Sequence, residues 1–137
     1  MSMLRIASGV MAVLFFVCVG LQYNDPDPVQ WMAIYGAAAF VSVMHVWRGQ
    51  VPVAFPLVVA AAAVAWGVYI ASHIQGRFEW HHLAESMHAG TPQIEESRET
   101  LGLLIVAVWM IVVAFAGGAR APSRVVSAPP VETTAHR

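Results

Sequence analysis

Three groups of polar residues in an otherwise apolar chain have the types and spacing to do chemistry. The first is Gln22-Tyr23-Asn24-Asp25-Pro26-Asp27-Pro28. Asn and Asp ahead of proline favour turns. Asp27-Pro28-Val29-Gln30 has the order of an N-cap, a proline at the first helical position and a glutamine able to close a capping box. Asp25 has no place in that scheme. Two carboxylates and an amide oxygen in one tight loop could also hold a hard cation such as Ca²⁺ or Mg²⁺. The second group is Glu95-Glu96-Ser97-Arg98-Glu99, entered from Thr91-Pro92. Glu95 and Glu99 share a helical face, and Arg98 is placed to pair with Glu95. Acids at a helix start suit its dipole, which accounts for Glu95 and Glu96. Glu99 abuts an apolar run, where an unpaired charge is costly. A buried link between Arg98, a carboxylate and the Asp25 loop is therefore the alternative to a solvated helix start. Gly102, one turn beyond Glu99, permits close helix contact.

The third group lies between Phe78 and Ala89. On a helical wheel Trp80, Leu83, Ala84 and Met87 share one face, and His81, Glu85 and His88 another. That pattern fits a short amphipathic helix in the membrane interface. The His-Glu-His stripe also has the one-turn spacing of zinc ligands, with His73 and His82 nearby. It lacks the arrangement of a zinc protease helix. Exposed histidines and a zinc site both remain open.

The elements that must position these groups are membrane helices. Hydrophobic residues are 58% of the 137, charged residues only 11%, and mean hydropathy is +0.64. A soluble domain carries about a quarter charged residues. The net charge is -1 and there is no lysine, which excludes a nucleic-acid binder. A spanning helix needs about 20 mostly apolar residues. Four blocks qualify, at about residues 4–22, 30–47, 51–72 and 99–117. They are continuous and not alternating, so helices, and not a barrel, satisfy the backbone in lipid. The expected fold is an all-α integral membrane protein: a four-helix transmembrane domain over residues 1–117, with the interfacial helix between the third and fourth spans. Residues 118–137 turn to Ala, Pro, Ser and Arg and read as a flexible cytoplasmic tail.

Met1 to Arg5 followed by an apolar run has some features of a signal peptide. The run continues to Leu21 without a clear processing site, so it reads as a retained first span. Arg5, Arg48, Arg120, Arg124 and Arg137 fall on one side of a four-span arrangement, and Arg77 and Arg98 on the other. The arginine bias places both termini in the cytoplasm. Asp25, Asp27, Glu79, Glu85, Glu95, Glu96 and Glu99 then share the outer side, leaving only Glu132 in the tail. Tyr23 and Trp31 stand where amphipathic rings prefer the headgroup level. Pro56 is expected to kink the third helix or delay its onset. Gly36 to Ala39, and Ala60 to Ala63 with Ala65 and Gly67, are small-residue surfaces suited to bundle contacts. Cys18, the single cysteine, reads as a small buried hydrophobe. His45 reads as reaching the interface or bonding a neighbouring helix.

Gln22 to Asp27, followed by Trp31 and Tyr35, resembles a signature of the transmembrane protein 220 family. Glu95 to Glu99 with Gly102-Leu103 resembles that family's second signature, at the start of its last shared helix. With the hydrophobic blocks, the resemblance runs from about Leu4 to Gly117. It implies a small multi-span helical membrane protein and supplies no reaction. It adds a pairing, because both signatures fall at the outer ends of helices. The expected joint site sets Asn24, Asp25 and Asp27 against Glu95, Arg98 and Glu99, with Trp31 and Tyr35 beside them.

Three functions follow from this reading. The leading one is a non-enzymatic accessory or binding protein whose acidic outer site locks the bundle or takes a partner or ion. Its partners would be the bilayer, other membrane subunits or a second copy. The alternative is a membrane-embedded metal-dependent enzyme, such as a lipid-headgroup hydrolase, using the same carboxylates. Metal ligands would come from Asp25, Asp27, Glu99, His81, Glu85 and His88, with Ca or Mg at the carboxylates and Zn at the histidines. A transporter ranks last, since no span carries a charge at mid-depth. The expected location is a bacterial inner membrane.

Overall fold

The computed structural model describes residues 2–24, 27–73 and 92–116, with Asn24 and residues 92–97 described by backbone alone. They form four α-helices: α1, Met3–Leu21; α2, Pro28–Arg48; α3, Ala54–His73; and α4, Pro92–Ala116. A 3₁₀ turn, Gln22–Asn24, closes α1. No strand occurs among the described residues. Each of the four helices is long and apolar enough to cross a membrane, that of α4 over Arg98–Ala116. The polar stretch before Arg98 is already helical from Pro92, as the Thr91-Pro92 start predicts. The expected interfacial helix at 78–89 and the tail at 118–137 lie outside the described residues.

Side-chain size is distributed as a bilayer demands. Ala12, Ala38, Ala39, Ala60, Ala63, Ala107 and Ala114 are buried, while Phe16, Phe40, Val58, Tyr69 and Phe115 are more than half exposed. In water such a continuous apolar surface would be a liability. In lipid, large residues outside cost nothing, and small ones inside let helices approach. The small-residue expectation holds on one face of each helix. Ala60 and Ala63 are buried and Gly67 packs against Leu103, whereas Ala61, Ala62 and Ala65 face outward.

Pairwise contacts fix the helix directions. Arg5, Ser8 and Gly9 of α1 meet residues 45–47 of α2, and Phe15 lies beside Tyr35 with ring centroids 6.3 Å apart, so the two helices are antiparallel. Trp66, late in α3, stacks on Trp31, early in α2, at 4.4 Å. Those helices are antiparallel too. Tyr35 meets Gly102, and Ser42 meets Trp109. The second contact is two turns farther along both helices, so α2 and α4 run parallel. One end of the bundle therefore gathers the starts of α2 and α4. The other gathers the start of α1, the end of α2 and the start of α3.

Three local expectations change. Asp27 occupies the N-cap of α2 and Pro28 its first turn, but the Asp27 side chain makes no capping bond. Its φ of -120° and ψ of 57° lie outside the extended backbone from which a cap reaches the next turn. α3 starts at Ala54 and not at 51, and Pro56 sits in its first turn, where the missing N–H has no helical acceptor to lose. Trp31 is not a headgroup anchor, being only 4% exposed, because α3 supplies Trp66 to stack on it. Tyr23, 83% exposed, keeps the expected position.

Candidate functional site

At the end of the bundle that carries the starts of α2 and α4, the two helices meet through Tyr35 and Gly102. Tyr35 lies one turn beyond Trp31 on the buried face of α2 and is held between two rings: Phe15, and Trp31 at 6.1 Å. This aromatic stack pins the phenol so that its hydroxyl rests against Gly102 of α4, where no side chain larger than hydrogen fits. Glu99, half-buried, lies one turn before Gly102 on the same helix. The glycine is thus what lets α4 approach α2 at Tyr35.

The remaining predicted residues divide. Asp27 is exposed at the head of α2, and Arg98 is exposed on α4. Exposure removes Arg98 from any buried ionic link. Asn24 lies in the 3₁₀ turn and Glu95 in the first turns of α4, as backbone positions. Asp25, His81, Glu85 and His88 lie outside the described residues. Among the described residues, no three His, Cys, Asp or Glu side chains group as a metal ion would need.

Sequence reasoning missed a second polar cluster, toward the opposite end. His45, 1% exposed, bonds through Nδ1 to the Ser8 hydroxyl at 2.7 Å, tying α1 to α2. This meets the expectation that His45 bonds a neighbouring helix. Arg5 donates from Nε to the Val46 carbonyl at 3.0 Å, and from Nη2 to the carbonyls of Val46 and Trp47. Those carbonyls belong to the last turn of α2, where intrahelical donors have run out. Farther into the bundle, Trp109 Nε1–H donates to the Ser42 hydroxyl at 3.0 Å, and Ser42 in turn donates to the Ala38 carbonyl at 2.8 Å. Ser8 and Ser42 are fully buried. The signal was available, since a hydroxyl inside an apolar span marks a helix contact. Among the described residues no buried side-chain nitrogen or oxygen lacks a partner.

Apolar grooves mark the faces between helix pairs. One is lined by Ala63, Gly67, Ala71, Leu103 and Ala107 with Thr100 at its end. Another, between α2 and α3, has Gln30 as its polar member. Neither offers a charged path through the membrane.

Four apolar helices, small residues within and large ones without, and polar groups concentrated toward the ends define a multi-pass integral membrane protein. The family model described as transmembrane family 220 matches residues 14–115. The match covers most of the chain and includes both acidic stretches, so the chain belongs to that family. No solved structure matches the chain.

Proposed function

We propose that this chain is a non-enzymatic accessory or binding protein of the membrane, and that its recognition site is the end where the two acidic stretches meet. The seating of the Tyr35 hydroxyl on Gly102, one turn beyond Glu99, carries this reading. It supports a joint site in which Trp31 and Tyr35 are fixed, Asp27 and Arg98 are exposed, and Asn24, Asp25 and Glu95 complete the polar rim. Rigid aromatic groups beside charged, exposed ones suit recognition of a polar partner better than a lipid tail. The arginine distribution supports an outward-facing acidic end and cytoplasmic termini.

Purification of the full chain from mild detergent tests this. A second membrane protein should co-elute in fixed ratio and be lost in Asp25→Ala and Glu99→Gln variants that keep their helical circular dichroism. A solitary chain that elutes alone, wild type and variants alike, overturns the binding reading. Stoichiometric metal that vanishes in those variants would instead favour the enzymatic use of the same carboxylates.

A further inference from the structure

The opposite end of the bundle carries a cation with no counter-ion among the described residues. Arg5 has five N–H donors. Its Nε–H and the two N–H groups of Nη2 are directed at the carbonyls of Val46 and Trp47. Nη1 keeps its two, and sits 3.8 Å from where a β-carbon on Gly49 would lie. Gly49 adopts φ 72°, the left-handed conformation that ends α2. Within the described residues every acid, Asp27 and those of α4, belongs to the other end. The guanidinium is half-buried and fixed in plane by α2, yet its charge is unneutralised there. Arg48, exposed, adds a second positive charge in the last turn of α2, and Trp47 is 82% exposed beside it.

We infer that this end binds the phosphate headgroup of an anionic phospholipid. The chemistry is complementary: Nη1 of Arg5 has two N–H groups with no acceptor among the described residues, and phosphate oxygens accept such bonds. Arg48 supplies longer-range attraction, and the Trp47 ring has the amphipathic character of a headgroup-level anchor. The occupant is a lipid and not a soluble anion because the apolar helix faces below the arginines keep acyl chains beside them. The inference concerns the end remote from the proposed recognition site and stands independently of it.

The test uses the full chain in neutral detergent micelles, with phosphatidylglycerol or phosphatidylcholine added and retention read by native mass spectrometry. Phosphatidylglycerol should be retained over phosphatidylcholine. Each arginine near an anionic surface contributes about fivefold, so Arg48→Gln should lower the preference by about that factor. Arg5→Gln should lower it at least as much. Raised salt should weaken it in the wild type. Should Arg5→Gln fail to fold, Arg48→Gln still decides the matter, because its side chain makes no bond that holds the helices together. Equal retention of the two lipids overturns the inference. So does a preference unchanged in folded Arg48→Gln, or thermal protection by inorganic phosphate as strong as that by phosphatidylglycerol.

Discussion

At the scale of single residues, two glycines are favoured at their positions for different reasons. Gly102 is needed for space. A β-carbon there would overlap the Tyr35 hydroxyl, while the ring carbon bearing it would be at 3.5 Å, an ordinary contact. Gly102→Ala gains up to about 1 kcal/mol in helix propensity but forces an overpacked contact costing about 1–3 kcal/mol. The clash should win, lowering stability in mixed-micelle unfolding. Tyr35→Phe removes the offending oxygen, so the double variant should regain most of the loss. A Gly102→Ala chain as stable as wild type would mean that α4 does not approach α2 this way. Gly49 is needed for conformation. Its imagined β-carbon meets only ordinary contacts from Arg5, but φ 72° is strained for alanine. Gly49→Ala should cost about 1 kcal/mol. Gly49→Asn should cost less, since Asn tolerates that region. A steric origin would reverse the order. The need for close contact at Gly102 was legible in the sequence from its place one turn after Glu99. That Tyr35 would be the neighbour was not, because spacing within one helix says nothing about which face of another it meets.

At the scale of elements, the bundle is held by a small number of polar locks between helices whose apolar faces have no preference for each other over lipid. Ser8 and His45 tie α1 to α2, and Ser42 and Trp109 tie α2 to α4. Ser8→Ala strands the buried His45 nitrogen. In soluble proteins that costs about 1–3 kcal/mol, but interhelical bonds in membranes average about 0.6 and reach about 1.7. The loss should therefore be about 1 kcal/mol, and a double-mutant cycle with His45→Ala should return a coupling of that order. A coupling near zero would show that the bond is not an independent tie. Trp109→Phe keeps the ring and loses the donor, so it should also cost about 1 kcal/mol in the same assay. Helix existence was plain from the apolar blocks, and so was the start of α4 ahead of its block, from Thr91-Pro92, whereas α3 starts later than its block. There Val51 and Pro52 precede the helix, which starts at Ala54. The locks were less legible. A serine inside an apolar span signals a helix contact, but the sequence does not say which helix or which group it meets.

At the scale of the whole molecule, the two ends of the bundle have opposite chemistry, and that polarity follows from helix direction alone. Antiparallel α1/α2 brings Arg5 to the end of α2, and parallel α2/α4 brings Glu99 to its start. Reversing α4 would put acids beside the arginines and remove the basis of both the proposed joint site and the unneutralised guanidinium. The arrangement can be tested in membranes without knowing any ligand. Asp27, Gln50 and Arg98 are exposed, and Cys18 is the single native cysteine. In a Cys18→Ala background, cysteines placed at 27 and 98 should react with a membrane-impermeant maleimide from the same side of sealed vesicles. A cysteine at 50 should react only from the other. Reaction of 27 and 98 from opposite sides would reverse α4 and leave the Tyr35–Gly102 contact without a geometry. Labelling of 50 together with 27 would break the α2 span itself, since those positions flank its 21 residues and about 30 Å of helix separates them.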